Sequence, residues 1–299
     1  MALGHEGVGV VQETGPDVKW AKKGDRVGWG YEHDSCGICQ NCFRGEENYC
    51  HQRAMYGDAD LDQGSFAHGA VWREAFLFKI PDALSDVDAA PLQCGGATVF
   101  DALRAYDAQP TETVGVMGVG GLGHLAIQFA AKMGCKVVVL SGSDAKKDEA
   151  MQLGATEFIA MKGAKEIKPS RPLDRLLVTT SAQPDWDMLL PIMAPGATIH
   201  PISVSGGNLS IPYSECPSIY LFGAKANDCE VPLILKGIRV QGSVVAPRHI
   251  HNDMLNFAAL HGIKPILETF PMTEKGIEEA MEKLNSGSMR YRGVVLPQN

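Results

Sequence analysis

Cys36, Cys39, Cys42 and Cys50 stand in the run SCGICQNCFRGEENYC with the spacing C-x2-C-x2-C-x7-C. A structural zinc takes four soft ligands in a tetrahedron, and thiolates crowded on one short lobe supply them without long-range folding. Gly37 and Gly45 let the backbone turn so that all four sulfurs can point inward. With every coordination position filled by protein, such a site stabilises the fold and leaves no place for substrate. Disulfide pairing is the alternative for these thiols. The N-terminal run MALGHEGVGVVQETG lacks the basic-then-apolar layout of an export signal, which disfavours it.

A second constellation is Gly118, Gly120 and Gly123, forming G-x-G-x-x-G with Gly121 between the last two. It follows the strand-like VGVM and opens the helical LAIQFAAKMG, the context in which this pattern binds a dinucleotide. The first glycine makes the turn, the second admits the pyrophosphate, and the third lets helix and strand approach. Helix N-terminal amides then face the phosphate charge. The next strand, VVVL, ends in Ser141-Gly142-Ser143, with Lys146 and Lys147 close behind. An NAD site usually carries an acidic residue there for the ribose hydroxyl. Two hydroxyls and an ammonium suit a 2′-phosphate instead, and so favour NADP despite the nearby Asp144.

His5 and Glu6 in GHEG, and Cys94 in PLQCGGATVF, supply an imidazole, a carboxylate and a thiol. Such donors suit a catalytic zinc that keeps a position open for a substrate oxygen. On residue type alone, a histidine before a β-run and a cysteine at a helix start are as readily core residues.

The elements that must position these groups change character along the chain. Residues 7–80 read as β-rich, with GVGVVQ, RVGWGY, a Gly-Asp turn in VKWAKKGDRV and a long strand-prone stretch, FAHGAVWREAFLFKI. Asp86 to Ala108 carries helical spacing. From Thr113 strands and helices alternate (VGVM, VVVL, KKDEAMQLGA, LLVTT, a helix near WDMLLPIM, then ATIHPISV), the pattern of a parallel doubly wound sheet. A helix over Thr273 to Leu284 and a closing strand RGVVL follow. Residues 214–231 have no clear period and carry Cys216 and Cys229; they read as an inserted loop. The chain has 299 residues and a net charge of -8, enough length for two domains and the wrong charge for gripping phosphate backbones or acidic lipid. That charge argues against a nucleic-acid partner, and with no run of 18 apolar residues no membrane is expected as a partner either.

GHEGVGVV, GDRV, the four-cysteine lobe, GSFA, PLQCGGATVF, GVGGLGH and MRYRGVVL, in that order, resemble the zinc-dependent medium-chain alcohol dehydrogenases. SGSDAKKDEA is similar to the NADP-dependent cinnamyl-alcohol-dehydrogenase-type branch. The resemblance covers nearly all of the chain except residues 214–231. It implies an α/β protein with two parts. One is a GroES-like β-rich catalytic domain over 1–96 and 247–299, truncated at its start, with the zinc lobe at 36–50. The other is an NADP-binding Rossmann domain over 97–246. It implies that His5, Glu6 and Cys94 serve a catalytic zinc, and that Thr98, Leu122, Ser203 and Ser243 contact nicotinamide or ribose. The implied reaction is hydride transfer between NADP(H) and a primary alcohol or aldehyde, in a cytoplasmic homodimer unless the 214–231 insertion disrupts it. Trp29 and Tyr31 would shape an aromatic or medium-chain pocket. His33, His51 and His68 read as surface or core histidines, and Cys135 as a buried small hydrophobe. In the family another zinc cysteine and a proton-relaying Ser or Thr lie upstream of GHE, whereas this chain starts three residues before it. The rival expectation is therefore an impaired relative that binds NADP and zinc without turnover. A late start codon and a retained intron would account for both anomalies.

Overall fold

The computed structural model describes residues 1–104, 106–204, 209–211 and 232–298. The predicted insertion at 214–231, with Cys216 and Cys229, lies outside the described residues. In chain order the strands are β1 (Gly7–Val10), β2 (Arg26–Trp29), β3 (Glu32–Asp34), β4 (Ala54–Met55), β5 (Phe78–Lys79), β6 (Thr113–Met117), β7 (Lys136–Ser141), β8 (Glu157–Ala160), β9 (Leu173–Val178), β10 (Met193–Pro201), β11 (Arg239–Val240), β12 (Leu267–Pro271) and β13 (Arg292–Leu296). The α-helices are α1 (Gln40–Phe43), α2 (Asp86–Ala89), α3 (Gly95–Arg104), α4 (Gly123–Lys132), α5 (Lys147–Gln152), α6 (Trp186–Leu189), α7 (Pro232–Leu235), α8 (Arg248–His261) and α9 (Glu274–Asn285). Contacts gather the chain into two compact units, Met1–Tyr106 with Val244–Asn299, and Asp107–Ser243. Among the described residues, no helix is long and apolar enough to cross a membrane.

The first unit is built on small sheets. β1, β2 and β5 form an antiparallel trio, β3 pairs with β4, and β12 lies parallel to β13. The Gly-Asp turn sets up β2, since Gly24 has φ +92 and the Asp25 amide bonds the Lys22 carbonyl at 3.0 Å. The expected long strand over 66–80 is corrected: only Phe78–Lys79 pairs, after a single 3-10 turn at Glu74–Phe76. Here the Glu74 carboxylate accepts from the amides of Lys19, Trp20 and Ala21, so this stretch is held to a loop through a side chain. The helical spacing after Asp86 resolves into α2, a 3-10 turn over Ala90–Gln93, and α3. Ser85 caps α2 by accepting from the Asp88 amide, and Thr273 caps α9 through the Gly276 amide.

The second unit is a six-stranded, all-parallel sheet in the order β11-β10-β9-β6-β7-β8. Val114, Val116, Val137, Val138, Val139, Leu140, Leu176 and Leu177 are fully buried, as strands covered on both faces require. Chain order reverses between β6 and β9. Ligands of such sheets bind beyond the strand C-termini at that switch point.

Candidate active site and metal centres

The four lobe cysteines converge. Their Sγ atoms all lie within 4.8 Å of one another, with Cys39–Cys42 and Cys50–Cys36 at 3.5 Å. Gly37 at φ +71 and Gly45 at φ +74 make the left-handed turns that bring them in. Amides of Cys36 and Gln52 point at Cys50 Sγ, at 3.5 and 3.3 Å. The Ile38 amide outweighs burial and holds the Cys36 thiol below its ordinary range. At Cys39 the Cys42 amide pulls down, but burial and the neighbouring sulfurs outweigh it and push the thiol to about 11. Four crowded sulfurs of which one favours and one resists ionisation fit a divalent cation that relieves their repulsion, so the donor set suits zinc. Among the described residues this is the one grouping of three or more His, Cys, Asp or Glu ligands so closely gathered.

The lobe docks through buried charge. Glu47, 2% exposed, accepts from the Arg248 amide at 2.6 Å and from Arg248 Nε at 3.0 Å, and Asn48 donates to the Val244 carbonyl. Glu32 on β3, 8% exposed, lies beside Glu47, and its Oε1 has no hydrogen-bond partner among the described residues. Burial first, then the Glu47 charge, push the Glu32 carboxyl up to about 8 against the pull of Arg248 and Arg53.

His5, Glu6, Cys94 and Thr98 all fall in the first unit. The His5 ring sits between Tyr31, edge-on at 5.2 Å, and Tyr56 at 4.9 Å, whose hydroxyl accepts from the Gly4 amide. Burial lowers the affinity of His5 for a proton, Glu6 works against that, and Arg292 adds to it. Cys94 follows the 3-10 turn with φ -132 and ψ -60. Its thiol is pushed up to about 12 by burial and the Glu6 charge, opposed by Arg292 and a hydrogen bond with Thr98. Glu6 Oε1 accepts from the Gly95 amide at 3.0 Å, and Oε2 pairs with Arg292 Nη2. The same two charges, Glu6 and Arg292, thus act on both His5 and Cys94. A neutral imidazole, a thiol and a carboxylate are donor types that fit a zinc with open positions, although they do not converge as the lobe sulfurs do.

The glycine turn expected to receive a dinucleotide lies at the sheet's switch point. Gly118, at φ +96, follows β6, and a Cβ on Gly123 would collide with the Gly118 carbonyl, while Gly120 faces open space. Thr179 at the end of β9 donates to the Met117 and Gly118 carbonyls at 2.9 and 3.1 Å, tying the two strands at the reversal. Gly121 and Leu122 complete the turn into α4. Lys146 Nζ donates to the Val119 carbonyl at 2.7 Å, which seats an ammonium on the turn; Ser141 ends β7, and Ser143 precedes the 3-10 turn that carries Lys146. Ser203 donates to the Thr180 carbonyl at 2.6 Å, and Ser243 Oγ is buried without a partner among the described residues. The open Gly120 face and the seated cation fit the phosphates of NADP.

A zinc-binding dehydrogenase family matches residues 121–260, and an alcohol dehydrogenase GroES-like domain matches residues 1–82. A probable formaldehyde dehydrogenase of Bacillus subtilis is 35% identical over 303 residues, covering 99% of this chain and 81% of that protein. This chain belongs to the zinc-binding alcohol dehydrogenase family. Another alcohol dehydrogenase, the NADP-dependent alcohol dehydrogenase C 1 of Mycolicibacterium smegmatis, is 34% identical over 98% of this chain and 80% of its own length. A solved cinnamyl alcohol dehydrogenase of Sorghum bicolor superposes with a TM-score of 0.81 at 31% identity, over 97% of this chain and 80% of that one. The alcohol dehydrogenase fold expected from the sequence, a GroES-like part and a Rossmann-type parallel sheet, is the one observed. That the relatives are dehydrogenases favours the enzyme over the non-catalytic binding protein.

Sequence reasoning missed Arg292, whose bond to Glu6 spans 286 residues and leaves no local signature. It left His33 without a partner, whereas the buried ring bonds Asp60 at 2.9 Å. His51 and His68 are exposed, and Cys135 is buried with its thiol pushed up to about 11 by desolvation.

Proposed function

We propose that the chain exchanges a hydride between NADP(H) and a primary alcohol or the corresponding aldehyde. A zinc ion held by His5, Cys94 and Glu6 supplies Lewis acidity toward the substrate oxygen, and bound NADP(H) supplies the hydride carrier. The remaining work falls to the chain's own side chains. Burial keeps the His5 imidazole neutral, so a ring nitrogen keeps its lone pair for coordination. Glu6 has both oxygens engaged, by Gly95 and Arg292, which hold its carboxylate in place beside Cys94. Tyr31 and Tyr56 line the half-buried imidazole with aromatic surface, which suits an apolar or aromatic substrate. The Gly118–Gly123 turn receives the pyrophosphate; Ser141, Ser143 and Lys146 receive the 2′-phosphate; Thr98, Leu122, Ser203 and Ser243 serve nicotinamide and ribose.

One observation carries this reading: the Lys146 ammonium seated on an open glycine turn at the end of the central strand. Cys36, Cys39, Cys42 and Cys50 hold a second, structural zinc. A cytoplasmic homodimer, unless the 214–231 insertion disrupts it, completes the proposal. Metal analysis combined with NADPH oxidation over a panel of aldehydes tests it. Two zinc ions per chain and aldehyde-dependent oxidation are expected; NADPH binding with one zinc and no turnover would refute it.

A further inference from the structure

Gln93 is a polar side chain at 0% exposure immediately before Cys94, and its bonds are fully determined. Its Nε2 donates to the Ala89 carbonyl at 3.1 Å, because a carbonyl can only accept. The amide orientation follows, and Oε1 faces His251 Nε2 at 3.1 Å. His251 Nε2 must therefore carry a hydrogen and donate it. His251, 2% exposed on α8, lies stacked on Phe78 with centroids 3.7 Å apart and planes 14° apart. Desolvation holds this ring neutral, down at about 3.

Strand β2 and the residue that follows it leave room for the pair. A Cβ on Gly28 would fall 2.5 Å from the Gln93 carboxamide, and one on Gly30 would run into the Gln93 carbonyl and approach the His251 ring at 3.5 Å. On the far side of Cys94, the Gly95 amide is held by Glu6. Cys94, at backbone angles outside the helix it introduces, is thus gripped at both neighbours.

A buried hydrogen-bonded pair is a costly way to fill a core when a leucine and a phenylalanine would fill it dry. It does supply direction, which apolar packing does not. We propose that Gln93 and His251 are positioning residues that fix where the Cys94 sulfur points, and so how tightly the second metal is held. The proposal rests on the reading of Cys94 as a zinc ligand. Outer partners of metal ligands commonly shift affinity by about 10- to 100-fold.

The test uses the full chain exchanged into cobalt, with Gln93→Met, His251→Phe, His251→Gln and Cys94→Ser variants. Retention of the four-cysteine metal and an unchanged circular dichroism spectrum certify each fold. Gln93→Met and His251→Phe keep the volume and lose the bond. They are expected to weaken the second metal by about tenfold or more and to shift its thiolate-to-cobalt absorption. His251→Gln, which keeps a donor toward Gln93, is expected to hold the metal within about threefold of wild type and to keep the band. Wild-type affinity and band in both bond-deleting variants would overturn the proposal and leave the Cys94 reading standing. An unchanged second metal in Cys94→Ser would instead overturn that reading, and the proposal with it.

Discussion

Replacing Glu32 with glutamine takes one proton out of the folding balance. Glu32 is 8% exposed, beside a second buried carboxylate, and its pKa is raised from 4.5 to about 8 in the folded chain. A raised pKa means that the folded state binds the proton more tightly than the unfolded one. The associated stability is full below the unfolded value of 4.5 and is lost as pH rises through about 8. Across that window the slope is about 1.4 kcal/mol per pH unit, fading near the upper end. Integrated from about pH 6 to about pH 8, this single group costs the wild-type protein about 2 kcal/mol. Glutamine cannot ionise, so Glu32→Gln should lose about 2 kcal/mol less over the same interval. Urea unfolding followed by tryptophan fluorescence at both pH values, in both proteins, reads the difference; other titrating groups are common to the two and cancel. Parallel pH dependences would refute the argument and show that water or a rearranged Arg248 solvates the carboxylate.

The other expectations concern the two cofactors. Lys146→Ala should weaken NADPH binding by about tenfold or more and change NADH binding little, measured by fluorescence titration; equal losses for both would remove Lys146 from the 2′-phosphate. Gly123→Ala places a methyl against the Gly118 carbonyl and should abolish measurable dinucleotide binding while leaving the zinc content intact. Chelating the lobe metal, or Cys39→Ser, should lower the melting temperature by at least about 5 °C in scanning calorimetry, and a melting curve indifferent to both would deny the lobe its stabilising role.

How much of this was legible in the amino-acid order follows the range of each interaction. The cysteine lobe and the glycine turn are complete within short runs, so each is visible in the spacing of a few residues, and the alternation of strands and helices from Thr113 gives the parallel sheet. The Glu6–Arg292 and Gln93–His251 bonds join residues 286 and 158 positions apart, and only the topology brings them together. The stretch 66–80 failed for a different reason. Its β-prone residues are real, but Glu74 bonds three amides of a distant loop, a tertiary choice that overrides local propensity. Glu32 reads as an exposed acid in any strand pattern, and its burial against Glu47 depends on how the lobe docks.

The interleaving of the two units dictates an order of assembly on the ribosome. Asp107–Ser243 is one uninterrupted stretch and can collapse as soon as it has emerged. The other unit must wait with its leading segment synthesised and unfinished, because α8, β12 and β13 are translated after that stretch. His5 and Cys94 therefore precede that stretch in translation, and Arg292, the guanidinium that acts on both, follows it. A nascent chain stalled before that point would hold the lobe cysteines ready for metal while the acid beside its second site still lacked its counter-ion.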